Sequence, residues 1–237
     1  MPNTNATTIM LVDLSLDEAR HSEFDDFYQG FYIPEFLRAV PQISSARRYA
    51  QTEGFPEGDL SKGHFLTVYE LGSDEATESI EAAIARAAHK EASDKFKLWK
   101  DEGLTYFDRA FYKLICRHGR LPKGEPWENN SIYTLRWVEK ADAPTSGEMF
   151  HWVEYFNREM FRVPKWLTCR TYLRMNSQPP AYLTVFEAPD QDSIIEALCG
   201  TDIDLDEEDQ IAFAHWLQSG VDWHDCLMLK PIYFRSN

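Results

Sequence analysis

An internal repeat constrains the fold of this chain more than any other feature of its 237 residues. The two halves of the sequence align at identical residues that follow one another in the same order. The clearest pairs are Val40-Pro41 with Val163-Pro164, Arg47 with Arg170, Tyr49 with Tyr172, and Leu66-Thr67-Val68 with Leu183-Thr184-Val185. Self-similarity of this length indicates two copies of one structural unit. We predict a first repeat over residues 1–118, a linker over 119–130 and a second repeat over 131–237.

Each repeat is predicted to contain the same elements in the order β-α-β-β-α-β. Alternating apolar residues and runs of β-branched or aromatic residues indicate the strands, at 9–14, 44–52, 64–71 and 107–116, and at 131–138, 167–175, 181–188 and 224–234. Longer helical regions are predicted over 74–102 and 193–219. The order is that of a ferredoxin-like unit, with two helices on one face of an antiparallel sheet. The predicted fold is α+β, with two tandem ferredoxin-like repeats packed sheet to sheet as a pseudo-dimeric α+β barrel.

The first helix of each repeat carries further signals. N-cap pairs are predicted at Ser22 with Asp25 and at Thr145 with Glu148. Aromatic residues recur at helical spacing and form one face of the first helix, namely Phe24, Phe27, Tyr28 and Phe31. Pro34 is expected to bend or end this helix, because proline lacks the amide donor.

Charge and composition exclude several classes of partner. The chain has 24 Lys and Arg against 39 Asp and Glu, a net charge of −15, which repels phosphate backbones and anionic lipids. No apolar run approaches the roughly 18 residues that span a bilayer, and no signal peptide is visible. We therefore expect a cytoplasmic protein that binds neither nucleic acid nor membranes. Its cysteines form no CxxC pair, and no nucleotide-binding motif occurs, so neither a metal nor a cofactor is predicted.

Three segments resemble the dimeric α+β barrel superfamily, in particular its EthD-like group. They are Phe31-Tyr32-Ile33-Pro34-Glu35, Val40-Pro41-Gln42-Ile43-Ser44-Ser45-Ala46-Arg47-Arg48-Tyr49 and Phe65-Leu66-Thr67-Val68-Tyr69-Glu70. Where the group commonly has a histidine before x-Pro, this chain has Tyr32, and its second copy has Tyr155. The superfamily includes cofactor-independent isomerases, polyketide cyclases, small monooxygenases, decarboxylases and haem enzymes, so the resemblance alone does not select an activity.

Tyrosines and arginines are the first candidates for a ligand site, which we expect between the helices and the sheet. Tyr32 and Tyr155 are candidate catalytic residues, because a phenol can donate a proton to a developing oxyanion. Tyr28 and Trp152 are candidates for the wall of a pocket that holds a flat ring. Further substrate-binding candidates, which could hold a carboxylate or phenolate, are Arg47 and Arg170 with their strand neighbours Tyr49 and Tyr172. A scaffold role, with the arginines paired to Glu70 and Glu187, is the alternative.

Histidines that the repeat does not reproduce are the second set of catalytic candidates. His64, His151 and His224 align with non-histidine residues in the other half, and a residue that breaks the symmetry of a duplicated scaffold is a candidate for function. His151 shares a helix face with Glu148, Glu154 and Tyr155 and could relay protons. The alternative for each histidine is a hydrogen-bonded structural role.

These observations predict a cofactor-independent enzyme that transfers protons on a small hydrophobic compound, with an aromatic ring and a carbonyl or phenolic oxygen. Isomerisation, cyclisation, and lyase or decarboxylase reactions all fit this description. Two alternatives stay open. One is a haem-binding protein similar to the chlorite dismutases, and the other binds a small ligand without turnover. Association of the whole chain into a homodimer is also left open.

Overall fold

A computed structural model describes residues from both halves of the chain, at 7–52, 63–71, 77–85, 90–119, 130–140, 153–158, 160–161, 163–176, 178, 180–199, 211, 214, 218 and 220–237. The predicted cap at Thr145 and Glu148 and the predicted site residues His151 and Trp152 lie outside these residues. In the part of the chain that is described, no helix has the length and apolar character needed to cross a membrane.

Eight antiparallel strands form the framework of the fold. They are β1 (Thr8–Leu16), β2 (Ile43–Gln51), β3 (His64–Leu71), β4 (Leu104–Gly119), β5 (Ser131–Glu139), β6 (Thr168–Arg174), β7 (Tyr182–Ala188) and β8 (Val221–Ser236). Their hydrogen-bonded order is β1-β3-β2-β8-β5-β7-β6-β4, and the pairing of β4 with β1 closes the series as a barrel. The predicted α+β class is confirmed by this arrangement. The packing of two sheets face to face and the repeat boundaries stay predictions.

The chain divides into two compact units that share β4 and β8. The first unit contains the described residues up to Lys113 together with Lys230–Asn237, and the second contains residues 114–119 and Asn130–Leu229. The strand order is β4-β1-β3-β2-β8 in the first unit and β8-β5-β7-β6-β4 in the second. The last part of β8 therefore belongs to the first unit, although it is far from β2 in the sequence.

Helices cover one face of the sheet in the first unit. The segments α1 (His21–Phe27), a π-helical turn (Tyr28–Tyr32) and α2 (Ile33–Ala39) follow one another without a break. α3 (Thr77–Ala85) and α4 (Lys90–Glu102) occupy the predicted helical region 74–102. Side chains alternate between the faces of a strand, and β1 sends Met10, Val12, Leu14 and Leu16 into the core beneath the helices.

The start and the middle of the first helix differ from the prediction. Ser22 lies inside α1 and does not cap it. Instead, a 3-10 turn precedes α1, and Asp17 caps that turn by accepting a hydrogen bond from the backbone N–H of Ala19. Pro34 does not end the helix, because it lies in the first turn of α2, where a missing N–H costs little. The backbone hydrogen bonds change just before it, where Ile33 N–H donates to Tyr28 C=O in the π-helical pattern.

The second unit contains residues 153–158 (α5) and α6 (Gln191–Cys199). Asn157 of α5 donates a hydrogen bond of 2.6 Å from Nδ2 to Oγ1 of Thr171 on β6. Thr171 Oγ1 is in turn 3.0 Å from Thr184 Oγ1 on β7. These buried contacts fix α5 to the sheet of its own unit.

Candidate functional site

A cavity of about 460 Å³ lies between the helices and the sheet of the first unit. Its size falls within the range of small-molecule sites in proteins. Its described lining residues are mostly aromatic or apolar and come from the π-helical turn, α2, α3, α4, β1, β3 and β4. They are Met10, Val12, Tyr28, Tyr32, Phe36, Tyr69, Ile84, Ser93, Phe96, Lys97, Lys100, Phe107, Asp108 and Arg109. The cavity therefore lies in the cleft where the sequence predicted a ligand, and Tyr28 and Tyr32 line it.

A column of aromatic rings forms the helical wall of the cavity. Phe24, Tyr28, Tyr32 and Phe36 stack in succession with ring-centroid distances of 5.0, 5.2 and 5.8 Å. The column passes through the π-helical turn, which holds both tyrosines. Phe96 of α4 stacks on Tyr32 at 4.6 Å, so aromatic side chains from two separate helices meet at the cavity.

Two buried phenols form the polar centre of this wall. Tyr28 OH lies 3.0 Å from Tyr69 OH on β3, and both side chains are fully buried. Burial raises the pKa of Tyr28, while the hydrogen bond between Tyr28 and Tyr69 and the charge of Arg48 partly offset this effect. Burial also raises the pKa of Tyr69 and of Tyr32. All three phenols therefore keep their protons at neutral pH, and the hydroxyls of Tyr28 and Tyr69 are hydrogen-bonded to each other.

Arg48 lies behind these phenols and was not among the predicted site residues. Its guanidinium is fully buried and donates from Nη1 to the carboxylate of Asp25. Its Cζ lies 4.3 Å from the ring centroid of Phe65 and 5.3 Å from that of Tyr28. Adjacent strand residues face opposite sides, so the pair Arg47-Arg48 already implied one arginine on the helical side.

The outer part of the cavity is charged. Lys97 and Lys100 of α4 are exposed, and Lys100 Nζ lies 4.4 Å from the ring centroid of Phe107. Arg109 Nη2 is 3.4 Å from Glu81 Oε2. Asp108 lies next to Arg109 but is paired with Asp13 of β1, so its side chain belongs to the other face of the sheet. Sequence reasoning missed these residues, because only the packing of α4 against β4 brings them together.

Three predicted residues of the first unit lie on the opposite face of the sheet, away from the cavity. His64 Nε2 lies 2.8 Å from Asp13 Oδ1, and Ser15 Oγ lies 2.8 Å from His64 Nδ1. Arg47 Nη1 forms an ion pair of 2.7 Å with Glu70 Oε2, as the scaffold alternative predicted. Tyr49 is buried on the same strand. The structure therefore does not bring His64, Arg47 or Tyr49 together with Tyr28 and Tyr32.

The predicted residues of the second unit occupy separate places. Arg170 Nη1 is 3.6 Å from Glu187 Oε2, and Tyr172 is buried on the same strand. Tyr155 is buried on α5, with Arg158 Cζ 5.0 Å from its ring centroid. His224 lies on β8. Their roles in catalysis or binding stay predictions.

None of the described lining residues of the cavity is a histidine that could ligate a haem. No group of His, Cys, Asp or Glu suited to a metal ion occurs among the residues that the structure describes.

No protein-family model and no curated protein matches this chain in sequence. Solved structures match it in fold. An anthrone oxidase-like protein shares 10% identity at a TM-score of 0.68, with 99% of this chain and 95% of that chain covered. A candidate monooxygenase from Fusobacterium nucleatum shares 9% identity at a TM-score of 0.59, with 98% and 96% covered. A heme-binding protein from Thermus thermophilus shares 11% identity at a TM-score of 0.52, with 96% and 92% covered.

These similarities extend over nearly the whole of each chain and concern the fold alone. The chain therefore has the fold of the dimeric α+β barrel proteins, as the sequence resemblance implied. Its assignment to the EthD-like group within them stays a prediction.

Proposed function

We propose that the protein binds a small aromatic compound with a carbonyl or phenolic oxygen in this cavity, and transfers protons on it without an organic cofactor. The observation that carries the proposal is the buried pair of protonated phenols, Tyr28 and Tyr69, beside apolar walls. Donors fixed in a site of low polarity stabilise a developing oxyanion more strongly than water does. The aromatic column supplies flat surfaces against which a ring can stack.

A simple reaction uses the phenol pair of the cavity. A hydroxide ion from solvent accepts a proton from a carbon next to the carbonyl group, and the electron pair of that C–H bond moves to form an enolate and water. Tyr28, itself hydrogen-bonded to Tyr69, donates a hydrogen bond to the enolate oxygen. Water then returns a proton to the same or a neighbouring carbon, which restores the carbonyl group, releases hydroxide and completes an exchange or an isomerisation. A donor fixed at the enolate oxygen lowers the barrier to this step.

The proposal predicts exchange of carbon-bound hydrogen in a bicyclic aromatic ketone such as a tetralone. In heavy water, the protein should accelerate incorporation of deuterium next to the carbonyl group, measured by proton NMR. Tyr28→Phe should lower the catalysed rate by about tenfold or more. Tyr106→Phe is the matched control, because Tyr106 is exposed on β4 and does not line the cavity.

Other results would lead to different conclusions. Binding of the ketone without accelerated exchange would favour the non-catalytic binding protein. An exchange rate unchanged by Tyr28→Phe would remove the cavity from the mechanism. A strong Soret absorption of the purified protein would favour the haem alternative.

A further inference from the structure

In the cavity of the first unit, the buried lining residues are uncharged and the lysines among the lining residues are exposed. The buried lining residues Met10, Phe36 and Tyr69 carry no charge. The lysines that line it, Lys97 and Lys100, are exposed. The cavity therefore has an apolar inner end with phenol donors and a charged outer end.

The charge of the outer end is positive and opposite to that of the whole protein. Three cations, Lys97, Lys100 and Arg109, are among the described lining residues, whereas the whole chain carries −15. Arg109 forms an ion pair with Glu81, which partly neutralises its charge. Lys97 makes no hydrogen bond or ion pair with any residue that the structure describes. A local cluster of cations in an acidic protein favours an anionic ligand and speeds its encounter.

We propose that the compound bound in this cavity is an aromatic acid. Its ring lies against the aromatic column, its carbonyl or phenolic oxygen accepts a hydrogen bond from the phenol pair, and its carboxylate lies at Lys97 and Lys100. This inference rests on the proposed function, and it adds the class of substrate. The ammonium groups can each donate to a carboxylate, while an uncharged ligand would leave them in water and gain nothing from them.

The test compares a hydroxynaphthoate with the hydroxynaphthamide of the same substitution pattern by titration calorimetry. The two probes have the same ring and the same phenol, and differ in the charge of one substituent. At about 0.02 M salt we expect the acid to bind about tenfold or more tightly than the amide, and the difference should shrink at about 0.3 M salt because exposed charges are screened.

Two variants locate the effect on α4. The double variant Lys97→Gln with Lys100→Gln should bring the affinity for the acid to within about threefold of that for the amide, and leave the affinity for the amide unchanged. Lys95→Gln is the matched control, because Lys95 lies on the same helix, pairs with Glu91 and does not line the cavity. It should preserve the preference for the acid.

The possible results distinguish a failure of the acid inference from a failure of the proposed function. Binding of both probes with equal affinity, at both salt concentrations, would overturn the acid inference and leave the proposed function standing. A preference for the acid that survives the double variant would also overturn it. If neither probe binds, the proposed function fails and the inference fails with it.

Discussion

The residues that distinguish this cavity are phenols kept protonated by burial. Tyr28, Tyr69 and Tyr32 lie in contact with one another or with the same rings, and each has a pKa raised by burial. Arg48 is close enough to lower the pKa of Tyr28 and of Tyr69 in part. These raised pKa values couple the stability of the fold to alkaline pH.

We expect the free energy of unfolding to fall as the pH rises above about 10. The folded state retains the protons of the three tyrosines, whereas the unfolded chain loses them near the ordinary value of 10.0, so alkaline pH favours the unfolded state. The stabilisation is thus complete below about pH 10 and is lost as the pH approaches the raised values. The slope can reach about 1.4 kcal/mol per pH unit for each fully buried tyrosine. Urea unfolding between about pH 9 and pH 11 measures it.

Tyr69→Phe tests the assignment of this slope. The variant lacks one titrating group, so its stability should fall less steeply with pH than that of the parent protein. Tyr106→Phe, at an exposed position, should leave the slope unchanged. Equal slopes in all three proteins would show that the buried phenols do not govern alkaline unfolding.

Among the elements, the π-helical turn has the greatest effect on the cavity. It places Tyr28 and Tyr32 in one stacked column with Phe24 and Phe36, and π-helical turns are rare and often lie at functional sites. The sequence does not predict this π-helical turn, because the aromatic residues that precede the turn recur at the spacing of an ordinary α-helix. Gly30 lies within the turn, and a Cβ at this position would meet nothing within 4 Å.

Two glycine substitutions should have opposite effects on stability. Gly63 has a φ of 107°, and a Cβ there would collide with the carbonyl oxygen of Leu16 and lie 2.6 Å from His21 Nε2. Gly63→Ala should therefore lower the free energy of unfolding by about 1–3 kcal/mol. Gly30→Ala is the matched control and should be neutral or stabilising by up to about 1 kcal/mol. Denaturant unfolding of both variants checks this, and similar losses would contradict the assigned backbone geometry.

The elements could be predicted from sequence much better than the site. Alternation of apolar residues gave the bounds of β3 as 64–71, which the structure repeats, because a strand shows its periodicity locally. Tyr28 and Tyr32 could also be predicted, because the spacing of aromatic residues along a helix is likewise a local feature of the sequence. Tyr69, Phe96 and the lysines of α4 were not, because their place at the cavity depends on strand register and on how a later helix packs.

On the scale of the whole molecule, the first unit is discontinuous in sequence. Lys230–Asn237 belongs to it together with the described residues up to Lys113. The side chain of Asn237 donates hydrogen bonds of 3.1 Å to the carbonyl oxygens of Leu37 and Ile43, and its backbone N–H donates to Ser44. Association of whole chains into a homodimer stays a prediction, which sedimentation measurements can decide.

Asn237→Ala should lower the free energy of unfolding by about 0.5–1.5 kcal/mol, the usual net contribution of a partly buried hydrogen bond. The loss should appear as faster amide hydrogen exchange in β2. Ser236→Ala is the matched control, because Ser236 is exposed and its side chain makes no contact of this kind with the described residues. If Asn237→Ala leaves the free energy of unfolding unchanged, the hydrogen bonds of Asn237 do not stabilise the end of β8.

The discontinuity also matters while the protein is being made. A ribosome releases β2 long before residues 230–236, which belong to the same unit as β2 and follow it in the strand order. During that interval one edge of β2 has open backbone groups, and such edges recruit other strands. We therefore expect the nascent chain to be most in need of chaperone protection in the interval before residues 230–236 emerge.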